Sequence, residues 1–185
     1  MGESMSRERG IIFSGESVRA IFAGRKTTTR RVVKPRPTLV LDAKASVAAF
    51  VDRRLTPMGE RDVLVRCPYG APGDQLWVRE TWRGGDDTLD TVNYRADADG
   101  FDQFALTWRS PIFMPRRFSR LTLEITSVRV ERLQEITEED VVREGLTERL
   151  SLRDGFADGW DSLNGKRAPW ESDPWVWAIG FEVTR

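Results

Sequence analysis

The chain of 185 residues contains no histidine and a single cysteine, Cys67. Without histidine there can be no Ser-His-Asp or Cys-His catalytic unit, and the usual zinc and iron sites lose their commonest ligand. A lone cysteine forms neither an intrachain disulfide nor a cysteine-only metal cluster. Any catalysis must therefore use other side chains, and we expect neither a metal nor a cofactor.

The chain also lacks a net charge and long apolar segments. Lys plus Arg equals Asp plus Glu at 29 each, a balance unlike that of a protein that coats nucleic acid, although a local basic cleft can still form. No apolar run approaches the roughly 18 residues of a membrane helix, and the polar start "MGESMSRERG" is unlike a signal peptide. These features predict a soluble, cytoplasmic protein with no membrane partner.

The pattern of apolar residues predicts several strands. Residues 11–13 and the segment "QLWVRETW", from Gln75 to Trp82, have the β-branched and aromatic composition of strands. In "SRLTLEITSVRVERL" the apolar residues alternate up to Ile125 and again from Val128, and this change of phase predicts a bulge or a bend. The closing segment "PWVWAIGFEV" is apolar enough to lie in the middle of a sheet.

Three short helices are predicted, two of them from their end signals. "SGESVRAIFAG" has Ser14 as an N-cap and Gly24 as a stop, and "ITEEDVVREGL" has Thr137 and Gly145 in the same roles. The third helix lies in "LRDGFADGWDSLNGK". Its apolar side chains are predicted to face inward: Phe156, Trp160 and Leu163.

Short helices around more numerous strands predict an α+β fold, namely a compact β-barrel with short peripheral helices and inserted loops. The length suits one domain over residues 1–185. Two stretches, near 38–66 and 83–117, are predicted to be insertions into that domain. The first is either a hairpin or an irregular loop, because its alternation is weak.

One basic stretch, "AGRKTTTRRVVKPRP" from Ala23 to Pro37, combines groups that can perform catalysis. Lys26 can act as a base if burial or neighbouring cations lower its pKa, and a threonine becomes a nucleophile when a base lies within hydrogen-bond reach. Arg30 and Arg31 can bind a phosphate or a developing oxyanion. The alternative is a solvated turn whose threonines bond to local backbone groups, and the run by itself favours that alternative.

Three further residues are candidates outside this stretch. Glu144 lies in the last turn of a predicted helix, where the helix dipole disfavours a carboxylate, and such an exception is sometimes functional. Glu80 and Trp82 in "VRETW" are candidate substrate-binding residues, with Trp82 as a stacking platform for a base. The alternatives are an exposed Glu144, a structural ion pair between Glu80 and an arginine, and a core position for Trp82.

The segment from Gly24 to Arg31, "GRKTTTRR", resembles the G-x-K-x-x-x-x-R signature of the ASCH domain family. "GDQLWVRETW", "ITEEDVVREGL" and "WVWAIGFEV" resemble further blocks of that family in the expected order, so the likeness spans nearly the whole chain. The "CPYG" and "PWVW" segments are similar to longer ASCH proteins of phages and prophages. The resemblance implies a PUA-like β-barrel.

One branch of that family consists of small bacterial amidohydrolases that remove acetate from N4-acetylcytidine. The resemblance to that branch implies that Lys26 is the base, Thr29 the nucleophile and Glu144 the proton donor, with no metal involved. The chain is nearly twice the length of those enzymes. Two alternative functions therefore remain open, a non-catalytic RNA-binding module and a ribonuclease, and steep salt dependence would distinguish phosphate-driven RNA binding from turnover of an uncharged nucleoside.

Overall fold

The computed structural model describes residues 7–34, 39–40, 49–56, 59–84, 91–98, 107–147 and 151–185. In chain order the strands of this part are β1 (Glu8–Ile12), β2 (Thr28–Val32), β3 (Leu39–Val40), β4 (Ala49–Thr56), β5 (Gly59–Arg66), β6 (Gln75–Arg79), β7 (Trp82–Gly84), β8 (Val92–Tyr94), β9 (Thr122–Arg132) and β10 (Trp175–Val183). The α-helices are α1 (Gly15–Phe22), α2 (Glu138–Arg143) and α3 (Leu152–Asn164). The predicted mixture of many strands with a few short helices is confirmed.

Five strands form the main sheet in the order β1-β6-β9-β10-β2. Strand β1 runs parallel to β6, and the other neighbours in this sheet are antiparallel. Strand β10 pairs on both sides, which confirms the predicted central position of the closing segment. Within the described residues β1 and β2 are the two edges, and no ladder joins them, so a closed barrel is not confirmed.

A bulge lies in β9, where the phase of the apolar pattern changes. Gly180 of β10 pairs with Ser127, whereas the next residue, Phe181, pairs with Ile125. Thr126 is therefore the extra residue of the bulge, which lets the apolar side chains on both sides of it face the core. This confirms the bulge predicted from the sequence.

The predicted insertions contain small sheets of their own. Strands β4 and β5 form an antiparallel hairpin with β3 beside β4, so the hairpin alternative is correct for the described part of 38–66. Strands β7 and β8 form a two-stranded ladder at the start of the second insertion. The segment "FALTW" at 104–108 also has the composition of a short strand, but residues 104–106 lie outside the described residues. None of the helices in the described ranges has the length and apolar character needed to cross a bilayer.

Two apolar clusters hold the main sheet and the helices together. The larger cluster includes Ile11, Leu76, Val130 and Ile179, each no more than 1% exposed. The smaller cluster fixes α2 and α3 against the end of the sheet through its buried members: Leu133, Ile136, Val141, Phe156, Trp160 and Val176. Leu163 does not join this cluster and is 76% exposed, so the prediction that it faces inward is wrong. Helix α3 has passed the end of the cluster at that point, and Leu163 lines a cleft instead.

Candidate active site

The position of Lys26 is set by the end of α1, which lies just before it in the chain. Ser14 caps the start of this helix by accepting a hydrogen bond from the Ser17 backbone N–H at 3.2 Å. Gly24 ends the helix with φ of 68°, a conformation that favours glycine. The Lys26 N–H then donates to the Ala20 carbonyl at 3.1 Å, which fixes the chain just before β2 begins.

The end of α2 meets the end of α1. Thr137 caps α2 as predicted, accepting from the Asp140 N–H at 3.2 Å, and Glu144 follows its last residue. Gly145 has φ of 95°, and a Cβ placed there would lie 3.1 Å from the Lys26 Cβ. Position 145 therefore requires glycine, both because glycine adopts this positive φ readily and because a side chain there would crowd Lys26. An isolated β-bridge joins Lys26 to Glu144 at this junction.

Lys26 and Glu144 form a buried ion pair. The Lys26 Nζ lies 2.5 Å from Glu144 Oε2, and it also donates to the Glu144 backbone carbonyl at 2.9 Å. Their side chains are 5% and 6% exposed. Burial lowers the pKa of Lys26, the Glu144 carboxylate opposes that shift, and the positive charges of Arg31 and Arg30 add to it. The lowered pKa agrees with the expectation for a lysine base, although burial contributes more than the arginines do.

Thr29 occupies the strand β2 beside this pair. Thr27 accepts a backbone hydrogen bond from Phe181 of β10, and Val33 donates one to Trp175 of the same strand. Thr29, two residues after Thr27, is paired with Ile179 and so occupies the same kind of hydrogen-bonded position. By the alternation of an antiparallel ladder, the backbone N–H groups of Thr28 and Arg30 point away from β10, toward the open edge of the sheet. The Thr29 side chain is buried, and its hydroxyl has no hydrogen-bond partner among the described residues.

A cleft of about 850 Å³ lies between the two sheet edges and α3. Lys26, Thr29 and Glu144 all line it, so the structure brings the three predicted catalytic residues together. The aromatic side chains that line it are Phe13, Tyr69, Phe156 and Trp160. Sequence reasoning had treated Phe156 and Trp160 as core residues and had not singled out Phe13 or Tyr69.

Arg31 also lines the cleft, as expected for a substrate-binding residue. Its Nη2 donates to the Ile12 carbonyl at 2.6 Å and thereby connects the β2 edge to the β1 edge. Its guanidinium carbon lies 5.1 Å from the centre of the Phe13 ring, a cation–π contact. Part of its donor capacity remains available, because a guanidinium has five N–H groups.

Arg30 differs from the expected substrate-binding role. Its Nε donates to Glu131 at 2.9 Å, its Nη2 to Asp140 at 2.8 Å and its Nη1 to Glu144 at 3.2 Å. The side chain is 1% exposed. Its guanidinium is therefore occupied by three carboxylates, and it orients Glu144 rather than contacting a ligand. Sequence reasoning missed Glu131 and Asp140, which lie 101 and 110 residues away along the chain.

Arg30→Leu should lower the free energy of unfolding by about 3–5 kcal/mol, because it leaves buried carboxylates without their shared cation. Chemical denaturation at neutral pH measures the loss. Arg143→Leu is the matched control, since Arg143 forms an exposed i,i+4 pair with Glu139, and it should change stability by no more than about 0.5 kcal/mol. Equal, small losses in both variants would contradict the structural role of Arg30.

Glu80 and Trp82 lie outside the cleft lining, so their predicted substrate-binding role is not supported. Glu80 is 1% exposed and accepts from Arg120 at 2.8 and 3.0 Å, the structural ion pair that the sequence left as its alternative. Burial raises its pKa, although Arg120 opposes that shift. Trp82 is 3% exposed and packs 5.1 Å from the Phe118 ring centre, which is a core position.

Comparisons with known proteins add little to this geometry. The chain matches no family model and no curated protein. Among solved structures it is similar to protein EF3133 from Enterococcus faecalis V583, described as a DUF984 family-model protein. That likeness has a TM-score of 0.44 at 12% identity and covers 98% of this chain and 82% of that chain. The function must therefore be argued from the cleft.

Proposed function

We propose that this protein is an amidohydrolase that removes the acyl group from N4-acetylcytidine or a related modified nucleoside. The observation that carries the proposal is the buried contact of 2.5 Å between Lys26 and Glu144, in a cleft that Thr29 also lines. Without histidine, a lysine of lowered pKa is the base that this chain can offer to a threonine hydroxyl.

The first half-reaction transfers the acyl group to the enzyme. Neutral Lys26 accepts the proton of the Thr29 hydroxyl as the oxygen attacks the acetyl carbonyl carbon. Lys26 passes that proton across its contact to Glu144, and Glu144 delivers it to N4 as the carbon–nitrogen bond breaks. Cytidine leaves with its amine restored, and the acetyl group remains on the Thr29 oxygen as an ester.

The second half-reaction returns the enzyme to its starting state. Lys26 accepts a proton from water as the water oxygen attacks the ester carbonyl, and the proton then returns to the Thr29 oxygen as acetate leaves. In both halves an oxyanion develops on the carbonyl oxygen. The Arg30 backbone N–H, which points away from β10 next to the nucleophile, is the donor that we assign to it, with the Arg31 side chain as a second.

The same proposal extends to the family and the fold. The resemblance of residues 24–31 to the ASCH signature is supported by its local structure, since the glycine ends a helix and the lysine and the threonine both enter the cleft. We infer a single PUA-like domain, in which the two sheet edges flank the cleft and Arg31 connects them. We also infer a cytoplasmic location and, from the same resemblance, a phage or prophage origin.

A non-catalytic RNA-binding role is the second candidate, and the cations at the cleft favour it. Arg31 and Arg167 line the cleft, and neither forms an ion pair with a carboxylate of the described residues. If RNA were the ligand, affinity would fall steeply as salt rises. A ribonuclease would use the same cations on the scissile phosphate. Acetate release from an uncharged nucleoside with little salt dependence separates the proposed function from both.

Glu144→Gln should slow acetate release from N4-acetylcytidine by about 100-fold or more, because a general acid contributes roughly that factor. The loss should be smaller for N4-acetyl-5-fluorocytidine, whose less basic amine leaves more easily without a proton. The measurement is the wild-type-to-variant ratio of kcat/KM on the two substrates, which have nearly the same shape. Equal ratios would contradict the assignment of Glu144 as the proton donor.

A further inference from the structure

A second, smaller recess of about 210 Å³ lies beside the cleft, at the end of β2 that is farthest from Lys26. Apart from Val32, its lining is basic and polar: Arg30, Arg31, Lys34, Tyr69 and Asn164. Four of these residues also line the main cleft, so the two spaces lie next to each other: Arg30, Arg31, Tyr69 and Asn164. None of the recess residues is acidic.

Two of the three cations that line this recess, Arg31 and Lys34, form no ion pair with a carboxylate of the described residues. Lys34 is exposed and forms no ion pair with a described residue. The Arg31 guanidinium bonds to a backbone carbonyl rather than to a carboxylate. In contrast, Lys26 and Arg30 are each paired with carboxylates of the described residues. The recess therefore offers two cations and the neutral polar groups of Tyr69 and Asn164, a set that suits a phosphate.

The position of the recess relative to Thr29 fixes which part of a ligand can reach it. Thr29 and Arg31 project to the same face of β2, about 7 Å apart along the strand, and Lys34 lies farther in the same direction. In a cytidine, N4 and the 5′ oxygen lie at opposite ends of the molecule. A nucleoside with its acetyl group at Thr29 can therefore direct its ribose 5′ end toward Arg31 and Lys34.

We infer that the recess binds a phosphate on the 5′ oxygen of the nucleoside, so that the preferred substrate is an acylated cytidine nucleotide rather than the free nucleoside. This inference rests on the proposed function for the orientation of the base. The bound group is either the terminal phosphate of a mononucleotide or the linking phosphate of an RNA chain, since both present anionic oxygens at that position.

Binding of unacylated ligands tests the inference without any turnover. Isothermal titration calorimetry at low salt should show that cytidine 5′-monophosphate binds at least about ten-fold more tightly than cytidine, the effect of charge-assisted hydrogen bonds. Lys34→Glu should abolish that difference and leave the affinity for cytidine unchanged. Lys166→Glu is the matched control, because it makes the same charge change on an exposed lysine that lines neither space.

The outcomes distinguish the recess from the proposed reaction. Equal affinities for the two ligands, or a difference that persists in Lys34→Glu, would overturn the phosphate site even if acetate release occurs. A phosphate-dependent gain that Lys34→Glu removes would support the site even if the wild type releases no acetate. The dinucleotide uridylyl-(3′,5′)-cytidine identifies which phosphate the recess binds. If its affinity exceeds that of cytidine by as much as the mononucleotide's does, the site takes the linking phosphate of an RNA chain. A smaller increase in affinity indicates a terminal phosphate.

Discussion

Thr29→Val should lower acetate release from N4-acetylcytidine by on the order of 1,000-fold or more, because it removes the attacking oxygen of a unit whose members act together. Valine keeps the shape and β-branching of threonine, so the strand β2 should be preserved. The Thr29 hydroxyl has no partner among the described residues, and its loss therefore breaks no hydrogen bond in that part of the protein. The rate of acetate formation under single-turnover conditions is the measurement.

Thr28→Val is the matched control for this experiment. The Thr28 hydroxyl is also buried and has no hydrogen-bond partner in the part of the chain that the structure describes, so valine there costs little or nothing in stability. Thr28 belongs to the same strand but alternates to the other face, away from the nucleophile. The variant Thr28→Val should retain the wild-type rate of acetate release, as should Thr27→Val. Wild-type acetate release by Thr29→Val would refute the assignment of the nucleophile.

Lys26→Met should have a comparably large effect on the rate. Methionine keeps an unbranched chain of similar length in the buried position but cannot accept the Thr29 proton, and losing the base of such a unit again costs on the order of 1,000-fold. In the wild type, kcat/KM should rise with pH and then level off, because protonated Lys26 is inactive and its lowered pKa lies below 10.5. Wild-type activity in Lys26→Met, or a rate that falls as pH rises through this range, would contradict the role of Lys26.

The lowered pKa of Lys26 also predicts how the free energy of unfolding changes with pH. Between the lowered pKa of folded Lys26 and 10.5, the unfolded chain binds a proton there that the folded chain has released. The free energy of unfolding contributed by Lys26 therefore increases with pH across that window. Denaturation of wild type and Lys26→Met at several alkaline pH values should show this increase in their difference, since other titrating groups contribute to both proteins. A difference that is flat or decreases with pH would indicate that the Lys26 pKa is not lowered.

Local signals allowed several features of the fold to be predicted. The caps Ser14 and Thr137 define helices through hydrogen bonds within four residues, so the sequence alone contains the information. The bulge at Thr126 was visible because burial on one face of a strand imposes alternation on both sides of it. Leu163 follows the same helical spacing as Phe156 and Trp160, but spacing cannot tell where the covering layer ends.

The candidate site was predictable only in part. The positions of Lys26, Thr29 and Glu144 came from a resemblance, and their meeting in one cleft depends on two helix ends that are 118 residues apart. The sequence predicts a substrate-binding role for Arg30, which the structure does not support. Its carboxylate partners come from β9 and α2, and no local sequence pattern reveals such long-range pairing. Glu80 and Trp82 are predicted to bind substrate from the segment "VRETW" alone. In the structure Trp82 packs on Phe118 and Glu80 pairs with Arg120, so both have structural roles.

The most direct test of the central claim is a time course of wild-type protein with N4-acetylcytidine, followed by proton NMR. Thr29→Val, purified in the same way, serves as the control for spontaneous hydrolysis and for contaminating enzymes. The account predicts that acetate and cytidine appear in equal amounts, at a rate that depends on the wild-type protein. Turnover that is absent, or is the same in both samples, would contradict the claim that this cleft is an amidohydrolase site.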